Sequence, residues 1–504
     1  MTRPGTTIAA VAVAAGLVGG AGMAAAAPAE ADSAQRGGLS RFYDQRLDWG
    51  ECGTAELDAA GARCANVTVP LDYQQPRGRT ITVAISRLTA TDPTKRRGIM
   101  LSNPGGPGNP GLDQMLLVRP TMSAEVTGQY DLIGMDPRGI GRSSPVDCGW
   151  STGITLRAAG PDRQSFDQNY RAQAELAVRC AVREGDRLRH ITTRNTARDM
   201  DVVRGALGER QISYFSWSYG TYLGAVYTQM FPQRTDRFVL DSAIDPARYG
   251  RGLFQDAGRA NEAALDRWAA WAARHDAEYH LGTTAGQVRA QVEALIRGAS
   301  EKPIRIGGHA VDATLLPVMY FIFLDRPDRY APTAAATRNL LDAAAGRQVV
   351  VDPLVEGSLL ALTSGRASPD ADGQLAVTCG DVAYPGNPET YWNDIRRNRA
   401  AEPVYASMLR NVTPCAFWDS PKEKATVVGN DRPALIVQAT GDTRTPYEHG
   451  VGLHQALTGS RLVTLEDVPA HAIFGLYPNK CVEGHVNTYL ATGELPSGDV
   501  TCRD

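Results

Sequence analysis

Residues 212–224 constrain the chain more than any other stretch. Ile212-Ser213-Tyr214-Phe215-Ser216-Trp217 is an apolar, aromatic run of strand character. Ser218-Tyr219-Gly220 then turns the chain, and Thr221-Tyr222-Leu223-Gly224 continues as a helix with Gly220 and Gly224 four apart. This is the layout of a nucleophile elbow, in which a strained strand-to-helix turn lifts a serine hydroxyl clear of the sheet. Its usual form is Gly-x-Ser-x-Gly. Here Ser216 stands where the first glycine would be, a residue small enough to let the turn close. A buried strand leading into a packed helix would read the same way. The assignment of Ser218 therefore depends on whether the chain also supplies a base, an orienting acid and an oxyanion hole.

A serine hydroxyl is a poor nucleophile at neutral pH, so an imidazole must take its proton and an acid must orient that imidazole. In open α/β sheets such groups sit in the loops that follow strands. Behind a serine elbow they come in chain order, acid first and histidine second. Asp442 meets this test in Thr440-Gly441-Asp442-Thr443-Arg444-Thr445-Pro446, directly after the apolar run 434–438. His471 follows the run Arg461–Leu465, in Val468-Pro469-Ala470-His471-Ala472. His485 is the rival, but it falls within a helical pattern after Gly484. His449 and His454 lie on the helix after Asp442, and the remaining four, His190, His275, His280 and His309, precede Asp442 and break the order. The expected set is Ser218, Asp442 and His471.

For the oxyanion hole, one backbone amide is expected from Tyr219. The other comes from the loop Asn103-Pro104-Gly105-Gly106-Pro107-Gly108, where Gly106 is the first choice and Gly105 the second, because glycine lets the backbone approach substrate closely. Gly106, Gly108 and Gly111 also fit the dinucleotide pattern Gly-x-Gly-x-x-Gly. Pro107 and Pro110 remove the very amides that such a loop would offer to phosphate, so that reading is rejected.

The rest of the chain alternates short apolar strands with helices. Strands are expected at Thr80–Leu88, 98–102, Tyr130–Met135 and 238–241, and a helix from Thr196, with Asp199 closing a capping box, to Gly208. This predicts an α/β fold with a mainly parallel sheet. Residues 36–72 read as turn-rich, stapled by Cys52 and Cys64. Asp136 and Arg138 read as a local ion pair holding a turn. The alternation lapses between about residues 245 and 431, where helical signals such as the capping box Thr284–Gln287 dominate, and resumes at 434. The expected organisation is a secretory leader over 1–31, core over 32–245, an inserted helical cap over 246–430, and core again over 431–504.

The leader reading rests on Arg3, an apolar run over 8–22 and small residues through Ala31, a pattern too short for a spanning helix. Cleavage after Ala27 would leave Pro28 beside the cut, and Ala29-Glu30-Ala31 also fits. The eight cysteines all lie beyond it, and their even number predicts disulfides in an oxidising, extracellular compartment. They allow 105 pairings, of which nearest-neighbour pairing is the simplest. A net charge of -3 provides no footprint for nucleic acid. No later segment is long and apolar enough to cross a membrane. No Cys-x-x-Cys or His-Glu-x-x-His spacing exists, so neither a metal nor a cofactor is expected.

Val69-Pro70-Leu71-Asp72-Tyr73, residues 103–108, 136–143, 218–224 and 441–446, and the tail 489–496 together resemble the secreted tripeptidyl aminopeptidases of actinomycetes, relatives of the proline iminopeptidases. The resemblance covers most of the chain beyond the leader and is least clear in the cap. It departs at Ser216, and at Ala470 and Ala472, where the family often has glycines. It implies an α/β-hydrolase fold and a serine exopeptidase. Such an enzyme would remove short peptides, typically tripeptides, from the free amino terminus of peptides and proteins through an acyl-enzyme. A cap carboxylate would read the substrate ammonium, and Glu356 and Asp381 are the residues considered for it. Two other readings are open: a secreted carboxylesterase with the same three residues, and a non-catalytic binding protein on a hydrolase scaffold.

Overall fold

In the computed structural model, which describes residues 38–364 and 370–504, the apolar runs become strands of one sheet. They are β1 (Arg63–Pro70), β2 (Thr80–Leu88), β3 (Gly98–Asn103), β4 (Tyr130–Met135), β5 (Ile212–Trp217), β6 (Thr235–Asp241), β9 (Leu435–Ala439), β10 (Arg461–Leu465) and β11 (Val500–Cys502), with β7 (Ile304–Ile306) and β8 (His309–Val311) forming a separate hairpin. The sheet order is β1-β2-β4-β3-β5-β6-β9-β10-β11. β1 and β2 run antiparallel at one edge, β2 pairs antiparallel with β4, and all later pairings are parallel. β3, β4, β5 and β9 are buried at every position, as a parallel sheet covered on both faces requires. The leader expected over 1–31 lies outside the described residues.

β1 corrects the expectation of a turn-rich segment over 36–72. Its alternating exposure marks a strand with one wet face, a weaker signal than the continuous apolar runs of the central strands. The glycine-rich loop follows β3, the elbow follows β5, and Asp442 and His471 follow β9 and β10. All four therefore emerge at the carboxyl ends of parallel strands.

Between β6 and β9 the chain is helical apart from the β7–β8 hairpin, and it carries its own apolar cluster around Trp268, Val292, Tyr320 and Leu359. A second segment joins it. Helix Arg163–Glu184, unannounced by any sequence signal that we read, packs Phe166 against Trp392 at 5.4 Å and Tyr170 against Phe417 at 4.7 Å. No helix among the described residues is long and apolar enough to cross a membrane. The cysteines pair as nearest neighbours: Cys52–Cys64, Cys148–Cys180, Cys379–Cys415 and Cys481–Cys502.

Two local expectations are overturned. Asp136 and Arg138 do not pair with each other. The Asp136 carboxylate accepts the amides of Gly111 at 2.7 Å, Leu112 at 3.2 Å and Arg142 at 2.8 Å, bracing the far end of the glycine loop. Arg138, fully buried, instead forks onto Asp199 at 2.6 and 2.5 Å and donates to the carbonyls of Pro70, Leu71 and His190. Asp199 is thus an interior ion-pair partner and not the closing residue of a capping box. The helix opens earlier, at Thr193, where the Thr192 hydroxyl accepts the Asn195 amide. A buried guanidinium needs a carboxylate, and that demand outranks the local capping pattern.

Candidate active site

Ser218 sits between β5 and helix Tyr219–Met230 at φ 56°, ψ -126°, a left-handed conformation that a serine adopts at a cost. The bare Cα of Gly220 makes the turn possible: a Cβ there would lie 2.6 Å from Ser216 Cβ and 2.8 Å from the Asn103 carbonyl. This explains how Ser216 can replace the first elbow glycine, since its side chain uses the space that Gly220 leaves open. A Cβ on Gly105 would lie 2.9 Å from Ser218 Cβ, so the glycine loop lies directly against the elbow.

The amides of that loop differ. The Gly105 N–H donates to Asn103 Oδ1 at 3.0 Å and is already committed. Among the described residues, the Gly106 and Tyr219 N–H groups have no protein acceptor. Gly106 is at φ +104°, and a Cβ there would meet Gly108 N at 2.7 Å.

Asp442 is buried. Its carboxylate accepts the amides of Arg444 at 2.7 Å and Thr445 at 3.0 Å and the Thr445 hydroxyl at 2.9 Å. His471 Nδ1 lies 2.8 and 3.0 Å from its two oxygens. Burial opposes the charge on Asp442, but the imidazole and the two amides outweigh it, holding the carboxyl below its ordinary value. With Nδ1 turned to Asp442, Nε2 of His471 has no hydrogen-bond partner among the described residues. No hydrogen bond joins Ser218 Oγ and His471 Nε2 among the described residues.

His485, the rival histidine, lies on helix Lys480–Thr492 beside the Cys481–Cys502 disulfide, and it is His471 that contacts Asp442. Those three residues are grouped closely enough to hold a metal, but both sulfurs are bonded to each other. Glu356 is exposed on the first turn of helix Pro353–Thr363, and its carboxylate has no hydrogen-bond partner among the described residues. Asp381 is buried at the end of helix Asp370–Asp381 and accepts the Thr193 amide at 2.8 Å, the Thr193 hydroxyl at 2.5 Å and the Tyr249 hydroxyl at 3.1 Å. Thr193 Oγ1 in turn lies 2.7 Å from the Tyr219 hydroxyl, so Asp381 is two hydrogen bonds from the elbow residue. Burial pushes the Asp381 carboxyl up to about 7, against the pull of Thr193, Tyr249 and Arg194.

Sequence reasoning missed the pair Asp241-Ser242. An acid closing a buried strand beside the elbow was the available signal; what it holds is visible only in three dimensions.

A mainly parallel sheet with a serine elbow after β5, and an aspartate–histidine pair in the loops after β9 and β10, defines an α/β-hydrolase. The relatives narrow this. The chain is 37% identical over 477 residues to the tripeptidyl aminopeptidase of Streptomyces lividans, spanning 90% of this chain and 86% of that protein. It therefore belongs to the tripeptidyl aminopeptidase family, and it is a serine hydrolase of aminopeptidase type. A family model described as TAP-like protein matches residues 402–502. Serine protease Hip1 of Mycobacterium tuberculosis is 28% identical, with 92% of this chain and 93% of that one covered. Carboxylesterase B of the same species is 31% identical, over 90% and 89%. The proline iminopeptidase-related protein of Thermus thermophilus superposes at a TM-score of 0.36 and 12% identity, over 89% of this chain and 98% of that one.

Proposed function

We propose that this protein is an exported serine exopeptidase that releases tripeptides from the free amino terminus of peptide and protein substrates. The observation that carries the reading is the Asp442–His471 contact at 2.8 Å, in the loops beside the Ser218 elbow, in a chain related along most of its length to a tripeptidyl aminopeptidase. In this reading His471 Nε2 takes the proton from Ser218 Oγ as the oxygen attacks the scissile carbonyl. Asp442 keeps Nδ1 protonated and offsets the imidazolium charge. The Gly106 and Tyr219 amides receive the tetrahedral oxyanion; Gly105 supports the loop, its own N–H being occupied. His471 then gives its proton to the leaving amine, and water releases the acyl group from Ser218.

The substrate ammonium is assigned to the cap, taken as residues 246–430, with Glu356 and Asp381 as the acids to test. Of these, Asp381 is nearer the elbow in hydrogen-bond steps, and Glu356 has the unengaged carboxylate. Four disulfides and the amino-terminal apolar leader support export. Incubation with a mixed peptide library, read by mass spectrometry, tests the proposal. Tripeptides leaving only unblocked amino termini are expected; internal cuts, or equal cleavage of amino-acetylated peptides, would overturn it. The likeness to carboxylesterase B favours one alternative, an esterase. Turnover of simple esters with no turnover of any peptide in the library would select it.

A further inference from the structure

β6 ends in Leu240-Asp241 and is followed by Ser242, so an acid closes a buried strand between the elbow strand and the strand that precedes Asp442. The Asp241 side chain is fully buried. The Asp241 carboxylate accepts the Ile473 amide at 3.0 and 3.1 Å, the Phe474 amide at 2.7 Å and the Ser242 hydroxyl at 3.0 Å. Ser242 Oγ in turn accepts the Ala472 amide at 2.8 Å. Three successive amides directly after His471 are thus held by two adjacent side chains of β6 and the residue after it. From the same residue, the Asp241 main-chain carbonyl accepts the Ser218 amide at 3.0 Å.

This joint also gathers strain. Ser218, Ser242 and Ala472 have φ of 56°, 57° and 63°, and all three are non-glycine residues in the left-handed region. Each such residue is strained and persists only where its surroundings hold it. The Asp241–Ser242 hydrogen bonds supply that hold at all three positions.

We propose that Asp241 is a positioning residue for the hydrolytic reaction, locking the histidine loop to the nucleophile elbow and placing a second carboxylate near His471. The proposal rests on Ser218 and His471 acting as nucleophile and base. An aspartate suits the joint better than an asparagine, because all of its contacts are donors; a carboxamide NH2 would face one of them. No ammonium or guanidinium contacts Asp241 among the described residues. The titratable groups at the joint are His471 and its partner Asp442. Burial drives the Asp241 carboxyl up to about 7, while the Phe474 and Ile473 amides, the Ser242 hydroxyl and His471 draw it down. Charge on Asp241 and charge on His471 therefore favour each other, and the imidazolium formed as Ser218 attacks is the state that gains.

The test is Asp241→Asn, assayed for kcat and KM with a free-amino peptide substrate across the range in which histidine titrates, with Tm measured alongside. A kcat loss of about 10- to 100-fold at nearly unchanged KM is expected, since the lost support acts on the base and nucleophile and not on substrate binding. A wild-type kcat, or a loss of kcat/KM carried by KM with kcat unchanged, overturns the proposal. Should this variant fail to fold, Ser242→Ala decides: a kcat loss at unchanged KM and Tm upholds the lock, and wild-type kcat overturns it. Ser218→Ala runs as the control. Activity surviving in that variant overturns the nucleophile assignment, whereas an inert Ser218→Ala beside a wild-type-like Asp241→Asn overturns only the inference about Asp241.

Discussion

Two regions of the molecule bury an aspartate, the loop after β9 and the junction between helix Asp370–Asp381 and helix Thr193–Ala206, and they treat it in opposite ways. Asp442 and Asp381 are similarly buried, and each accepts hydrogen bonds from backbone amide and hydroxyl donors. Yet the Asp442 carboxyl is held below its ordinary value while Asp381 is pushed up to about 7. The difference is the imidazole. His471 sits against Asp442 and stabilises its charge, whereas Asp381 meets only neutral donors in contact, with Arg194 at longer range. Burial sets the size of the problem for a carboxylate, and the imidazole hydrogen-bonded to it decides the sign.

The comparison is tested most directly at Ser218, the proposed nucleophile. Ser218→Ala should lower kcat by about 10⁶-fold with the fold intact, the order seen when a triad nucleophile is removed. Peptide turnover by the purified variant checks this, and retained activity would end the reading of residues 212–224. Asp442→Asn keeps the shape of the region but removes the charge that orients His471, and kcat should fall by about 10⁴-fold. A small effect in the same assay would mean that Asp241 or another acid can orient the imidazole.

Gly106→Ala should cost about 10²- to 10³-fold in kcat, through loss of a well-aimed oxyanion donor, with KM changed little. The backbone there is at φ +104° with Gly108 N in the path of a Cβ, so distortion of the loop is built into the substitution. The smallest effect is thermodynamic and concerns the other aspartate. With its folded value raised from 3.8 to about 7, Asp381 stabilises the fold most when protonated. That contribution is complete below about pH 4 and is lost as pH rises through 7, a change on the order of 4 kcal/mol. Asp442 runs the other way: its folded value lies below 3.8, so its contribution is present above that pH and lost as the solution is acidified. Asp381→Asn should therefore flatten the fall of Tm between weakly acidic and neutral pH, as calorimetry across that range would record. An unchanged slope would show that Asp381 is not the titrating group.

Much of the sheet was legible in sequence because central parallel strands are buried on both faces and read as unbroken apolar runs. Tyr130–Met135 and Arg461–Leu465 stand where they were expected, and the strand expected at 434–438 runs Leu435–Ala439. The capping box Thr284–Gln287 also forms, since its partners lie within one turn. Legibility failed where partners are distant. Arg138 was matched to its neighbour Asp136, although the acid that satisfies it is Asp199 on another element. Helix Arg163–Glu184 gives no contrast strong enough to separate it from surface loop, and its packing against Trp392 and Phe417 is a long-range event.

For the candidate site, the order of Ser218, Asp442 and His471 and their place in loops after strands followed from the sequence, because strand, turn and helix signals are local. The ranking of Gly106 ahead of Gly105 is also a sequence expectation, but its physical reason did not follow from the sequence. It depends on Asn103 Oδ1 taking the Gly105 amide and leaving Gly106 without a protein acceptor. Nor did the direction in which each buried acid shifts, since burial and charge partners are properties of the packed chain. Composition, periodicity and turn chemistry determined which groups this protein carries and in what order. The tertiary structure alone decided which of them meet, because Asp241 reaches the amides of Ile473 and Phe474 across more than two hundred residues, and no local pattern encodes that contact.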